Sequence, residues 1–143
     1  MATFGTTNQY IKYAVYAQEV SINQSANTSV VRVWIDVWRT NTGFTTYGSG
    51  TVYARVNGSL KSASITSSQK ITSTPIRLAT WDTTVAHDNN GSKTIRVNGW
   101  ISHDRFSSSE QGFNFALTTI PRAATITACN DFKDTDNPSF TFS

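Results

Sequence analysis

"SVVRVWIDVWR", residues 29–39, decides the fold class. Read as a β-strand, it sends Val31, Val33, Ile35 and Val37 to one side and Arg32, Trp34, Asp36 and Trp38 to the other. The aliphatic set is a core face. The opposite set is half aromatic and half charged, which is unusual for a face that only meets water.

The same alternation recurs on both sides of this segment. "TVYARVNGSLKSASI" holds two strands, 51–57 and 59–65, joined through Asn57-Gly58, a type I′ hairpin signal. "YIKYAVYAQEVSI" alternates less cleanly, which predicts a bulge or bend near Gln18. Residues 75–87 read as one long or broken strand, "DNNG" as a hairpin loop, and "SKTIRVNGWIS" as the returning strand. That strand puts Ile95, Val97, Gly99 and Ile101 opposite Thr94, Arg96, Asn98 and Trp100. "GFNFALTTI" places Phe113, Phe115 and Leu117 together. The expected core is Val31, Val33, Ile35, Val37, Val52, Val56, Ile95, Val97, Phe113, Phe115 and Leu117.

Composition agrees. The 143 residues suit one domain, with 17 Ser and 22 Thr favouring strands and turns, 15% charged and 12% aromatic side chains. No window repeats apolar residues at helical spacing. Short strands separated by Gly, Asn and Ser turns predict an all-β fold: an antiparallel β-sandwich, jelly-roll or Ig-like, with a partly closed barrel as the alternative. Residues 1–122 form the sandwich module, and 123–143 read as a linker and the opening of a following module.

Several function classes lose ground at once. One cysteine, Cys129, excludes an intrachain disulfide framework and a multi-thiolate metal site. "MATFGTTNQY" lacks the pattern of a signal peptide, and no apolar run approaches a membrane span, so synthesis in the cytoplasm without a membrane partner is expected. The net charge is +3; over residues 1–130 there are 11 basic and 6 acidic side chains, a balance of +5. The basic residues are dispersed, so nucleic acid is not the expected partner, while an anionic glycan remains open.

"NTSVVRVWI", "RTNTGFTTYGSGT", "HDNNGSKTIRV" and "FALTTIPRAATI" together resemble the siphophage tail-associated structural proteins of Gram-positive hosts, the minor structural or tail-fibre proteins. In that family a strand ending His-Asn-x-Asp-Gly-x-Lys leads into the next strand. Here it stands as His87, Asp88, Asn89, Asn90, Gly91, Ser92, Lys93, with the acid and amide positions exchanged, while Thr118 to Arg122 keep the closing Thr-Thr-Ile-Pro-Arg. The resemblance implies a virion tail component without catalytic role, made in the host cytoplasm and meeting the host surface.

His87 and Asp88 offer too few oxygens for Ca²⁺, which takes six to eight, so the stretch reads as a turn with Gly91 at positive φ. "NDFKDTDN", residues 130–137, carries three carboxylates at a spacing that matches no ligand loop. His103 and Asp104, adjacent on a strand, face opposite ways, and no facing carboxylate pair suggests a glycosidase. No enzyme, metal or cofactor is therefore expected.

The binding surface expected instead is the second face: Trp34, Asp36, Trp38, Tyr53, Arg55, Arg96, Asn98 and Trp100. Placed in one sheet, the three strands would present rings interleaved with hydrogen-bonding groups, a surface suited to a host cell-wall saccharide. Other tail proteins are the second partner class, and self-association is open. A purely architectural virion module docking a neighbour is the alternative reading, and a polysaccharide-degrading tail domain a distant third.

Overall fold

A computed structural model of the chain describes residues 1–122. The expected linker, Cys129 and the acidic segment 130–137 lie outside the described residues. Eight strands run through the rest: β1 (Ala2–Gly5), β2 (Ile11–Asn23), β3 (Thr28–Arg39), β4 (Gly50–Val56), β5 (Ser59–Ile65), β6 (Ile76–Ala86), β7 (Thr94–His103) and β8 (Gln111–Ala116). They form two separate four-stranded sheets, β1-β2-β3-β6 and β5-β4-β7-β8, and every named pairing is antiparallel. The architecture is a β-sandwich and not a closed barrel.

Alternation builds the core. Val31, Val33, Ile35, Val37, Val52, Val56, Ile95, Val97 and Leu117 are buried as expected, and Ile11, Tyr13, Val15, Ile65, Ile71, Ile101 and Phe106 join them. Phe113 and Phe115 are only half-buried against the core, because β8 is an edge strand. Tyr13 spans the two sheets: its ring is buried and its hydroxyl donates to the Gly99 carbonyl at 3.0 Å. That bond satisfies the one polar atom the ring brings into the interior.

The local turn signals translate directly. Asn57 and Gly58 take φ of 50° and 84°, the two positive values that a type I′ turn needs, and β4 pairs with β5 from Val56↔Ser59 outward. The irregularity expected near Gln18 falls between Glu19 and Ser21. A second one, between Ile35 and Asp36, lets the long β6 follow β3.

One expected connection is corrected. The stretch 87–93 does not close a hairpin, because β6 pairs with β3 and β7 pairs with β4 in the other sheet. It is an arch from one sheet to the other. Sequence alternation on either side of an Asn-Gly turn is the same for a hairpin and for an arch, so pairing alone separates them.

Candidate functional site

The expected aromatic face is divided by that topology. Trp34, Asp36 and Trp38 lie on the outer face of the first sheet, whereas Tyr53, Arg55, Arg96, Asn98 and Trp100 lie on the outer face of the second. The two groups are on opposite sides of the sandwich, and the single surface spanning β3, β4 and β7 does not form.

On the first sheet, Tyr16 and Trp34 are register partners, and their rings stack at 5.1 Å with planes 4° apart. Adjacent strands sit about 4.8 Å apart, so rings standing upright on paired residues must stack at this separation. From β6, on the other side of β3, the Arg77 guanidinium comes 4.9 Å from the Trp34 ring centre and 3.6 Å from Asp36 Oδ1. Trp38 is paired with Lys12 on β2. Arg32 and Asp82 form a two-bond ion pair at 2.9 and 3.0 Å. Both are solvent-exposed, so the pair contributes little to stability.

The second sheet repeats the device. Tyr53 and Trp100 are register partners stacked at 5.1 Å, with the Arg55 guanidinium 5.4 Å from the indole centre. Glu110 accepts from Asn98 Nδ2 at 2.8 Å and from Arg55 Nε at 3.1 Å, and Arg96 Nε donates to Asn98 Oδ1 at 2.8 Å. The Asn98 bond, aided by Arg55 and Arg96 against partial burial, lowers the Glu110 pKa. Trp34 and Trp100 thus each stack on a tyrosine and lie close to a guanidinium.

His87 is a structural clasp. It is buried, with Nδ1 2.8 Å from the Gly91 carbonyl and Nε2 2.7 Å from Ser29 Oγ. Ser29 Oγ in turn donates to Glu19 Oε2 at 2.5 Å, and Glu19 Oε1 accepts from the Thr118 amide at 3.0 Å. Burial pushes the Glu19 carboxyl up, but the Ser29 and Thr118 bonds outweigh it and leave its pKa lowered. The carboxylate engages the serine and not the imidazole, so this is no Ser-His-acid relay. The chain instead ties β2, β3, the arch and the segment after β8 together. Ile120 N also donates to the Gly91 carbonyl, at 2.9 Å. Two of the motifs that carry the family resemblance, HDNNGSK and TTIPR, therefore hold one another. Asp88 lies outside the clasp; its carboxylate is 3.7 Å from Lys93 Nζ on the surface.

His103 and Asp104 separate as their alternation requires. Asp104 accepts from Ser49 N at 2.9 Å and Ser49 Oγ at 3.2 Å, and the first of these bonds is the main reason its pKa is lowered. His103 is buried, stacks on Phe106 at 4.6 Å and accepts from Arg105 N at 3.1 Å. Burial holds its pKa below the ordinary 6.5, more than the neighbouring Asp104 raises it. The unfolded chain thus binds this proton more readily than the folded one. Its contribution to stability is complete above 6.5 and is lost as pH falls from there through the folded value. The carboxylates Glu19 and Glu110 lose theirs only below about 4.5. The melting temperature should therefore decline in two arms, and His103→Gln should flatten the upper arm alone. Parallel pH profiles for wild type and variant by differential scanning calorimetry would leave this assignment untenable.

The feature that alternation could not reveal is at one end of the sandwich. Tyr10, Phe44 and Tyr47 are exposed by 43%, 61% and 54% on the connections β1–β2 and β3–β4. Arg39 reaches between two of them, 5.9 Å from the Tyr10 ring centre and 5.7 Å from that of Phe44, and also donates to Asn41 and Thr46. Lys70 is 5.9 Å from the Tyr47 ring centre. These loops are fastened down. Thr7 and Ser107 exchange two bonds of 2.9 Å, and Thr46 and Ile71 exchange two of 2.8 and 3.0 Å. Two open clefts lie among them. One, of about 330 Å³, is lined by Asn8, Thr45, Thr46, Tyr47 and Arg105. The other, of about 490 Å³, is lined by Thr7, Gln9 and Tyr10, again with Asn8 and Arg105. The available signal was large aromatics inside Gly/Thr/Ser loop segments, where no core demands them.

Two packed four-stranded sheets, and a loop end displaying rings and donors, define a β-sandwich module. The chain belongs to a family of siphovirus proteins of unknown function, DUF859, whose pattern matches residues 1–133. It is accordingly a phage protein made in the host cell, as the resemblance of its motifs implied. No curated protein matches the chain. Among solved structures, one described as "X-ray structure of Northeast Structural Genomics Consortium target SoR45" is similar at a TM-score of 0.40 and 11% identity, covering 85% of this chain and 93% of that one.

Proposed function

We propose that this chain is a non-enzymatic structural and adhesion module of the siphophage tail, which meets a host-surface saccharide through the loop end of its sandwich. One observation carries the reading: Tyr10, Phe44 and Tyr47 are held in the open on loops that are bonded to one another and to a rigid sandwich. Exposed rings on fixed loops contribute contact area at low ordering cost, and sugar rings pack on them. Each aromatic contact is worth about 1 kcal/mol, so a single module binds weakly, while linked copies raise avidity by roughly two to four orders of magnitude.

The test is sedimentation of a multivalent fusion with walls of the phage's host. Wild type should co-sediment, and Phe44→Ala and Tyr47→Ala should weaken it several-fold, whereas Trp34→Ala and Trp100→Ala should not. A folded fusion that ignores walls sinks the adhesion reading. The architectural reading would then gain from a second observation, the half-buried stacked pairs on both outer faces, which a neighbouring virion protein or a second copy could cover. Light scattering of the free chain distinguishes those two occupants.

A further inference from the structure

We infer that the loop-end clefts recognise a saccharide unit carrying a negative charge, a phosphate or a carboxylate, with Arg105 as the charge reader and Asn8 as a hydroxyl reader. The inference rests on the adhesion reading and adds the chemistry of the ligand to it.

Both clefts are lined by Arg105 and Asn8, so any ligand that fills either one meets the same guanidinium and the same amide. Arg105 is anchored through Nε to the Tyr47 carbonyl at 3.4 Å, which leaves its terminal nitrogens to face a ligand. A guanidinium fork fits the paired oxygens of a phosphate or carboxylate. Asn8 is fixed in the same way: its Oδ1 accepts from Tyr10 N at 2.9 Å, and its own carbonyl accepts from Ile11 N at 3.0 Å. With Oδ1 committed to the backbone, Nδ2 is the donor left for a hydroxyl.

The electrostatics point the same way. Among the described residues neither cleft is lined by an acidic side chain, and Arg39 and Lys70 stand beside the flanking rings. Asp104, adjacent in sequence, interacts electrostatically with Arg105, but its carboxylate takes its hydrogen bonds from Ser49. On the outer faces of the sheets, by contrast, Arg32, Arg55 and Arg77 pair with Asp82, Glu110 and Asp36. A guanidinium next to exposed rings and amides is what an anionic, hydroxyl-rich unit requires, and a neutral sugar would leave Arg105 unused.

Four probes added to the full chain test this by amide chemical shifts: glucose 6-phosphate, glucuronate, glucose and inorganic phosphate. At least one charged sugar should move the amides of Asn8, Thr45 and Arg105 and bind at least about fivefold tighter than glucose or inorganic phosphate. Which charged sugar does so separates phosphate from carboxylate. Arg105→Gln should abolish that advantage and leave the glucose response unchanged. Equal responses to inorganic phosphate and glucose 6-phosphate, equal responses to glucose and both charged sugars, silence at these amides, or indifference to Arg105→Gln would each overturn the assignment. Wall binding that survives Arg105→Gln removes the charged cleft and leaves adhesion standing. Charged-sugar binding by a chain that ignores walls does the reverse.

Discussion

Val33→Asp should leave the chain unfolded, while Arg32→Asp, one residue away, should leave it folded. Val33 is fully buried on β3, opposite Ala17 on β2 and Trp81 on β6. A carboxylate there has no partner and loses its water, at a cost of several kcal/mol, which is comparable with the whole stability of a domain. Arg32 lies on the outer face in an exposed ion pair with Asp82, and its replacement removes an interaction that water already weakens. An acid opposite Asp82 adds a repulsion that salt screens. Far-ultraviolet circular dichroism and thermal melts of the two variants decide the matter. A soluble Val33→Asp chain melting at the wild-type temperature would show that the two faces of β3 are assigned the wrong way round.

The second large effect is at the arch. Gly91→Val should lower the melting temperature by roughly 10 °C, far more than a turn substitution on an exposed loop. Two costs combine. Gly91 has φ of +86°, which costs a β-branched residue on the order of 1–3 kcal/mol. A Cβ there would also stand 1.9 Å from the Ile120 carbonyl oxygen, so the segment after β8 must be displaced, at a further cost of about 1–3 kcal/mol. Each kcal/mol lowers the midpoint of a domain this size by about 3–5 °C. Gly58 provides the control, because it has φ of +84° but nothing within 4 Å of an added Cβ. Gly58→Val should show the backbone cost alone. Equal losses at Gly58 and Gly91 would mean that HDNNG and TTIPR do not hold one another.

How far the candidate site was legible follows from the range of each interaction. His87 was read as part of a turn because its neighbours in sequence explain a turn. Its partner Ser29 is 58 residues away, and Ser29 reaches Glu19 on a third segment. No spacing rule connects three such positions. The loop-end cluster was missed for a different reason. Periodicity weights strands, and Tyr10, Phe44 and Tyr47 lie outside them, so they carried no pattern even though their types were visible.

Residue parity, and the Asn57-Gly58 turn, are legible in the residues alone. A β-strand repeats every two residues, so Val31 to Val37 had to face inward and Arg32 to Trp38 outward once residues 28–39 were extended. Asn57-Gly58 likewise fixed the β4–β5 pairing, because its backbone fits a two-residue turn. What only the tertiary structure decided is which strands became neighbours. Parity says which side of its own sheet a residue takes, but it carries no label for the sheet. β3 and β7 have the same alternation, and they pair into different sheets through contacts distant in the chain. Two outward faces that looked like one surface therefore became the opposite sides of a sandwich.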